Sequence, residues 1–586
     1  MRGSAFGAEY QKIDVKILKR LLVFLKKYKS WAFLAFALAA LSSALGPVRP
    51  YLTKVAIDDS LSKHDWKSFV LLIGAIFALL IVGSVMRFFL TFVMQRTGQR
   101  ILLDIRMTLF DKVQKLPFKY FDKNPVGRTV TRLTNDVETL NDLFSSGIVM
   151  IAADLLLLVW IVVFMFYTEW KLTLITLALL PLLVFATTVF RRKVRVLFRE
   201  LRKEIASMNG FLSEFFAGIS TVKLFARESE MQEKFNESNS KTREINIKTV
   251  YYYAIFFPTV EMLSAVGLGL IIWYASRNIL SGSMTVGIII AFVQYAEMFF
   301  RPIRDLSEKY TTMQNAMASS ERIFGLLDEK MEGYGESEIY EFDKLHSKIE
   351  FKNVSLNYDG TKWAVKDLNF EIRKGETVAI IGSTGSGKTT LINILCKFYN
   401  YQEGECLIDG RDLRNIKTDS LRSSIALVMQ DVFLFSRSIR DNICFGSARN
   451  NIDCEYAARE LGADKFINEL PGGYDAALIE RGQNLSVGQR QLLSFCRAFA
   501  ANPDILILDE ATSNIDSETE AVIERALDKL LKGRTSIIIA HRLSTIKRAD
   551  RIIVMHKGEI KEMGSHKELM ARGELYRKLY ELQYAG

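Results

Sequence analysis

Hydrophobic residues form long runs in the first half of the chain and short runs in the second half. A helix that crosses a membrane needs about 20 mostly apolar residues. Six stretches approach this length, at Trp31–Val55, Phe69–Met94, Leu143–Tyr167, Leu172–Phe190, Tyr252–Tyr274 and Val286–Pro302. Beyond residue 348 the apolar runs shorten to the length of strands. The pattern therefore predicts an all-α polytopic membrane domain of six spanning helices, followed by an α/β domain.

The polar gaps between these six stretches alternate between short and long. The two long gaps, Gln95–Asn141 and Arg192–Lys248, have helical spacing that is broken near Pro117 and Pro125 and near Gly218. Each long gap predicts two helical arms joined by a short crosswise helix. The basic N-terminus, with an amphipathic helix expected at about residues 14 to 30, and Arg191-Arg192-Lys193 favour a cytoplasmic position for the arms. An even number of spans returns the second domain to the cytoplasm as well.

Composition agrees with a membrane part joined to a soluble part. Of 586 residues, 49% are hydrophobic and 24% charged, with a mean hydropathy of +0.11. We predict a transmembrane domain at 1–327, an acidic linker at 328–348 and a second, soluble domain at 349–586. The net charge of +11 is explained by cytoplasmic loops that face anionic membrane lipids, without a nucleic-acid partner. The five cysteines lack paired metal-ligand spacing, so we expect buried thiols in a reducing compartment.

Four ionisable residues lie within the predicted spans: Arg87, Asp154, Glu261 and Glu297. Charge inside a membrane is costly, so these side chains are expected to face the interior of the helix bundle or a watery cavity. Contact with a transported molecule and hydrogen bonding between helices both remain open as explanations.

A glycine-rich loop stands at the start of the second domain. Gly382-Ser383-Thr384-Gly385-Ser386-Gly387-Lys388-Thr389 matches the phosphate-binding pattern G-x-x-x-x-G-K-[ST]. An apolar run, Thr377–Ile381, precedes the loop as a predicted strand, and a predicted helix begins at Thr390. Backbone N–H groups of such a loop and the helix N-terminus attract phosphate. Lys388 is expected to reach the β- and γ-phosphates of a nucleotide, and Thr389 to bind Mg²⁺.

Two further features fit a nucleotide site. The apolar run Ile505–Leu508 has the composition of a buried parallel strand and ends in Asp509 and Glu510. Asp509 is expected to hold Mg²⁺ through water, and Glu510 to deprotonate the attacking water. Tyr358, at an Asp-Gly turn, is a candidate for stacking on adenine, although an ordinary turn tyrosine is the alternative.

The order of these motifs resembles the ATP-binding-cassette (ABC) transporters. The phosphate loop is followed by Gln430, by Leu485-Ser486-Val487-Gly488-Gln489, by Asp509-Glu510, by Asp516 and by His541. With six spans ahead of one such domain, nearly the whole chain is similar to an exporter half-transporter. The resemblance implies that Thr390 also contacts ATP, that Gln430 contributes to the Mg²⁺ site, and that His541 contacts the γ-phosphate and the attacking water. It also implies that Phe121–Arg132 and the region of Phe216–Phe225 act as coupling helices.

The resemblance further implies a dimer. In this family, Leu485–Gln489 would form the signature loop that covers the ATP of a partner domain, and Asp516 would cross the dimer interface. The family pattern at the signature is Leu-Ser-Gly-Gly-Gln, whereas this chain has Val487 at the third position. Because a homodimer would place this valine over both ATP molecules, we favour a heterodimer, with a homodimer as the alternative.

The sequence thus predicts an ABC-type transport ATPase of a prokaryotic inner membrane. Export of an amphipathic drug, lipid or peptide is the leading interpretation. An importer built on the exporter fold, an ATP-gated channel or regulator, and a soluble ATPase with a membrane anchor are the alternatives. The expected cofactors are ATP and Mg²⁺, and the expected partners are a second half-transporter, membrane lipids and a small amphipathic substrate.

Overall fold

The computed structural model describes residues 15–281, 283–331, 340–446, 453–509, 517–540 and 543–584. The chain forms two compact units. The first comprises residues 1–113 and 127–329, and the second comprises residues 330–586 together with the short segment 114–126. Glu510, Asp516 and His541, for which we predicted catalytic or interface roles, lie outside the described residues.

The described part of the first unit is helical. Its helices are α1 (Val15–Lys26), α2 (Lys29–Leu45), α3 (Val48–Val55), α4 (Trp66–Gln114), α6 (Val126–Thr131), α7 (Val137–Asp142), α8 (Ile148–Thr168), α9 (Trp170–Ala178), α10 (Leu180–Ala217), α11 (Ile219–Leu224), α12 (Glu228–Leu280) and α13 (Val286–Leu327), and the second unit supplies α5 (Phe118–Lys123). Short π-helical turns at Ala56–Leu61, Arg132–Asp136 and Leu143–Gly147 join some of them.

The predicted spans agree with these helices. Five continuous helical stretches are long and apolar enough to cross a membrane: Lys29–Leu61, Trp66–Gln114, Val126–Thr168, Trp170–Ala217 and Glu228–Leu280. The sixth predicted span lies in α13, whose described apolar part, Val286–Phe299, is shorter. The predicted breaks are confirmed too, because α4 and α10 end at Gln114 and Ala217 and each is followed by a helix of six residues. At 49 residues, α4 extends to about 70 Å, more than twice the thickness of a bilayer core.

Polar contacts join distant helices of the first unit. Asp58, in the π-helical turn after α3, accepts hydrogen bonds from the Thr285 hydroxyl and from the Gly287 N–H, the latter at 2.8 Å. This carboxylate caps the N-terminus of α13, where N–H groups lack partners within the helix. A Cβ at Gly287 would lie 2.6 Å from the Asp58 carboxylate, so only glycine leaves room for this contact.

Two ion pairs also connect α13 to other helices. Arg20 of α1 and Asp328, directly after α13, form a double hydrogen bond with both distances at 2.7 Å. Within the predicted spans, Asp154 is half-buried and pairs with Lys309 of α13. Asp154 therefore agrees with the expectation for charge inside the bundle, whereas Arg87, Glu261 and Glu297 are exposed in the single chain.

The second unit is an α/β fold with two sheets. Its strands are β1 (Lys348–Leu356), β2 (Val365–Arg373), β3 (Thr377–Gly382), β4 (Glu403–Ile408), β5 (Arg411–Asp412), β6 (Ile425–Val428), β7 (Ile505–Asp509), β8 (Thr535–Ile539), β9 (Arg551–His556) and β10 (Glu559–Gly564). Its further helices are α14 (Lys388–Leu395), α15 (Thr418–Ser423), α16 (Ile439–Cys444), α17 (Cys454–Leu461), α18 (Asp464–Glu469), α19 (Val487–Ala500), α20 (Ser517–Leu531), α21 (Leu543–Arg548), α22 (His566–Arg572) and α23 (Leu575–Tyr584).

The larger sheet determines where the site lies. Its strand order is β10-β9-β3-β8-β7-β6; β9, β3, β8, β7 and β6 are parallel to one another, whereas β10 is antiparallel to β9. All five residues of β8 are buried, as are the first four of β7, which explains their continuous apolar sequence. Parallel strands end at the same edge of a sheet, so the loops after β3, β6 and β7 meet at one edge. The smaller antiparallel sheet, β2-β1-β4-β5, carries the turn that contains Tyr358.

The cysteines correct one expectation. Cys396, Cys406 and Cys496 are buried free thiols as predicted, and burial raises the pKa of the Cys396 thiol to about 12. Cys444 and Cys454, however, are joined in a disulfide. The sequence did not reveal this pair, because the residues are ten positions apart and become neighbours only where the end of α16 meets the start of α17.

Candidate nucleotide-binding site

The glycine-rich loop lies between β3 and α14, as predicted. Gly385 and Gly387 have φ values of 78° and 102°, in the left-handed region that favours glycine. A Cβ at Gly382 would lie 2.3 Å from the Met555 carbonyl oxygen, and one at Gly387 would lie 2.7 Å from the Val365 side chain. The glycines are therefore required by the tight curl of the loop and by its close approach to β9 and β2.

The loop surrounds an ammonium group with backbone oxygens. Lys388 Nζ donates to the carbonyl oxygens of Gly382 at 2.8 Å and Ser383 at 3.0 Å, and only 8% of the residue is exposed. Burial lowers the pKa of Lys388, while the charge of Asp509 acts in the opposite direction. A buried cation that has only neutral partners in the loop is well suited to an anionic ligand.

Other polar groups of the loop are available for a ligand. The Ser386 hydroxyl is buried without a hydrogen-bond partner, which is uncommon in folded proteins. Ser383, Thr384 and Thr389 are exposed. Phosphate oxygens accept hydrogen bonds from hydroxyl and backbone N–H groups, so the loop fits a nucleotide polyphosphate.

Asp509 and Gln430 lie at, or just after, the C-terminal ends of the neighbouring strands β7 and β6. Asp509 is the last residue of β7, and Gln430 is exposed two residues after β6. Both therefore lie at the sheet edge that carries the loop after β3. The strand β8 separates β3 from β7, which corresponds to a spacing of about 10 Å between those two strands.

The signature residues form the start of α19. Ser486 caps the helix: its hydroxyl accepts from the Gln489 N–H at 3.2 Å, while the Gln489 side chain accepts from the Ser486 N–H at 3.0 Å. This reciprocal capping leaves the first N–H groups of the helix for an anion. Leu485 and Gly488 are buried, whereas Val487 is 47% exposed and has no positive φ. The valine thus fits the helix without backbone strain and presents its branched side chain at the surface.

Tyr358 is held in place by two residues, of which sequence analysis singled out only one. Its hydroxyl donates to the Thr390 hydroxyl at 3.2 Å and accepts from the Asn393 amide at 3.0 Å. Both partners belong to α14, directly after the phosphate loop. Thr390 was predicted to contact ATP, but Asn393 was missed. Its spacing of three residues from Thr390 places both on one helix face and was the signal that could have identified it.

A polyphosphate loop on a parallel sheet, joined to a bundle of membrane-spanning helices, defines a membrane transport ATPase. A model of the ABC transporter transmembrane region matches residues 32–303, and a model described as ABC transporter matches residues 365–513. The chain belongs to the ABC transporter family and carries the ATP-binding domain of that family. It is a multi-pass membrane protein of the exporter type found in bacteria.

Bacterial relatives match over nearly the whole chain. An uncharacterized ABC transporter ATP-binding protein of Bacillus subtilis is 37% identical over 97% of this chain and 94% of its own length. The ATP-dependent lipid A-core flippase of Syntrophus aciditrophicus is 35% identical over 98% of this chain and 95% of its own. A putative multidrug export ATP-binding/permease protein of Staphylococcus aureus is 38% identical over 97% of this chain and its full length.

Proposed function

We propose that this chain is one half of a heterodimeric, ATP-driven exporter of amphipathic molecules in the bacterial inner membrane. The proposal rests on one observation: the phosphate-binding loop Gly382–Thr389 is complete, whereas the signature helix α19 begins with Val487. Export is supported by the relatives, whose names include a lipid A-core flippase and multidrug export proteins. The proposed domain division is 1–327, 328–348 and 349–586, with 114–126 acting as the first coupling segment.

Magnesium fits the proposed site. The Thr389 hydroxyl, the Asp509 carboxylate and the Gln430 amide offer oxygen ligands, which Mg²⁺ prefers. Mg²⁺ is usually held by one or two carboxylates together with water and the phosphate oxygens of a nucleotide. This favours binding of the ion together with ATP. When bound, the ion neutralises charge that develops on the phosphates. Lys388 binds the phosphates, and Glu510 accepts the proton of the attacking water.

Direction of transport is tested with inverted membrane vesicles from cells that produce the chain and its partner. We expect ATP-dependent accumulation of a fluorescent amphipathic cation or a short-chain fluorescent phospholipid inside the vesicles. Vesicles that carry Lys388→Ala serve as the control, because they contain the same helices without a working ATP site. Accumulation only in right-side-out vesicles supplied with internal ATP would indicate an importer. ATP-dependent single-channel current without accumulation would indicate a channel.

The heterodimer is proposed from the position of Val487. Exporters of this family work as dimers of half-transporters, and a signature loop acts on the ATP of the partner domain. Glycine at position 487 leaves a backbone surface at the start of α19, whereas valine adds a branched side chain at the point where phosphate must approach. A homodimer would carry this obstacle at both sites. We infer a different partner with an intact Leu-Ser-Gly-Gly-Gln loop and a residue other than glutamate at the position matching Glu510.

Purification of the chain alone tests this proposal. We expect ATP hydrolysis at less than about a tenth of the rate of the chain purified with a co-encoded half-transporter, because each homodimeric site would carry a valine. Val487→Gly should raise the rate of the chain purified alone, and Val487→Ala, which keeps a Cβ, should raise it less. A stable wild-type homodimer that hydrolyses ATP at two equivalent sites would disprove the heterodimer.

A further inference from the structure

Tyr399 connects the predicted adenine-stacking residue to the segment between the second and third spans. Its ring meets the Tyr358 ring edge to face, with centroids 4.6 Å apart and planes at 87°. Its hydroxyl donates a hydrogen bond to the carboxylate of Asp122, in the short helix α5. All three residues belong to the second unit. The Tyr399 side chain therefore contacts both Tyr358, the predicted adenine-stacking residue, and α5, which lies in the predicted coupling region.

The neighbouring residue strengthens the connection to α5. Phe398 stacks on Phe118, with centroids 4.8 Å apart and planes at 19°. The Arg422 guanidinium lies 5.1 Å from the centre of the Phe398 ring and donates to the carbonyl oxygens of Cys396 and Lys397 at 3.0 and 2.9 Å. This backbone, which leads directly to Tyr399, is thus fixed to the body of the unit. The stack of Phe118 on Phe398 holds the first residue of α5 against this backbone, and the hydrogen bond from Tyr399 to the Asp122 carboxylate holds the other end.

Hydrogen bonds of the Tyr399 and Tyr358 hydroxyl groups restrict how far the two rings can turn. Burial raises the pKa of the Tyr399 phenol, with a further rise from Asp122, so the hydroxyl keeps its proton at neutral pH and remains a donor. Tyr358 is held from the opposite side by Thr390 and Asn393 of α14. Its ring thus lies between the helix that follows the phosphate loop and the residue that contacts α5. A shift of α5 that carries Asp122 away must either break the bond to Tyr399 or turn the Tyr399 ring against Tyr358.

We propose that Tyr399 is a positioning residue that links the orientation of Tyr358, and hence the binding of the adenine ring, to the position of α5. The proposal rests on the proposed stacking of Tyr358 on adenine. By thermodynamic reciprocity, ATP that favours one orientation of Tyr358 favours the matching position of α5, and an α5 displaced by the membrane helices weakens ATP binding. The connection between the base and α5 thus passes through Tyr399 and its hydrogen bond to Asp122.

Equilibrium binding to the purified chain in lipid nanodiscs, without Mg²⁺ so that no hydrolysis occurs, tests the proposal. Tyr399→Phe keeps the ring and loses the hydroxyl, and Asp122→Ala removes the carboxylate that accepts its hydrogen bond. We expect each variant to weaken ATP binding about fivefold, and the double variant to be no weaker than either single one, since both remove the same hydrogen bond. With Mg²⁺ and saturating ATP, the rate of hydrolysis should match that of the parent chain. Lys123→Gln, which alters an exposed side chain of the same helix, should bind ATP normally.

Inorganic tripolyphosphate separates this role from general damage to the fold. It carries the phosphates without the base, so its affinity should be unchanged in Tyr399→Phe and Asp122→Ala. Equal loss of ATP and tripolyphosphate affinity, additive effects in the double variant, or wild-type ATP binding in Asp122→Ala would each overturn the proposal. Tyr358→Ala checks the underlying assumption, with an expected loss of about tenfold in ATP affinity. Normal ATP binding in Tyr358→Ala would refute stacking itself, whereas a loss there combined with normal Tyr399→Phe would refute only the connection.

Discussion

Replacement of Glu510 by glutamine is expected to reduce ATP turnover at least about a hundredfold while ATP binding is retained. A general base in the right position accelerates proton transfer by about 10²- to 10⁴-fold, and glutamine cannot accept the proton. In the sequence, Glu510 directly follows Asp509, which is the last residue of the buried strand β7 and lies at the sheet edge that carries the phosphate loop. Steady-state ATPase activity and the amount of ATP retained after gel filtration measure the two effects separately.

The expected product of this substitution is a trapped, nucleotide-bound dimer. Glu574→Gln is the matched control, because it makes the same chemical change at an exposed position of the second unit and should leave turnover unchanged. Near-normal ATPase activity in Glu510→Gln would remove this residue from the role of base. Loss of ATP binding together with turnover would indicate a structural defect.

Replacement of Lys388 by alanine is expected to weaken ATP binding by about ten- to a hundredfold, the effect of losing one charged hydrogen bond. Its ammonium is buried and held by two carbonyl oxygens of the loop, where we propose that the phosphates of ATP bind. ATP binding in the absence of Mg²⁺ measures the effect directly. Lys362→Ala, at an exposed turn of the same unit, should bind ATP as the parent chain does.

Lys388→Met distinguishes loss of charge from loss of packing, because methionine keeps most of the aliphatic stem. Since burial lowers the pKa of Lys388, the charged lysine costs folding free energy at neutral pH. This cost is fully present below the lowered pKa and disappears as the pH rises through the pKa of the unfolded lysine. The nucleotide-free melting temperature of Lys388→Met should therefore not fall, and a given ATP concentration should raise it less than in the parent chain. A melting temperature that still rises normally with ATP would contradict the assigned role.

The elements predicted correctly from the sequence were those specified by residues that are close together in the chain. The phosphate loop was identified because the fixed glycines, the lysine and the following hydroxyl lie within eight residues, and the structure places them between a strand and a helix. The long spans and the breaks near Pro117 and Gly218 were predicted from hydrophobic length and from residues that interrupt helices. The buried strands β7 and β8 were recognised because both faces are apolar, which leaves no alternation to interpret.

Contacts between residues that are far apart in the sequence were not predicted. Tyr399 and Asp122 are 277 positions apart, and neither belongs to a motif, so only the folded chain brings them together. The same holds for Asp58 and Gly287, which are 229 positions apart. The disulfide between Cys444 and Cys454 was missed for a different reason. The two cysteines are near in sequence, but their pairing depends on how two helix ends meet, which hydrophobic periodicity does not determine.

The contact of Asp58 with the start of α13 has a mechanical consequence. A carboxylate on the first span holds the Thr285 hydroxyl and the Gly287 N–H of the last span, and the glycine leaves no space for a larger residue. These two helix ends are consequently held to each other by two hydrogen bonds. A conformational change there either carries both ends in the same direction or must first break both bonds to the aspartate.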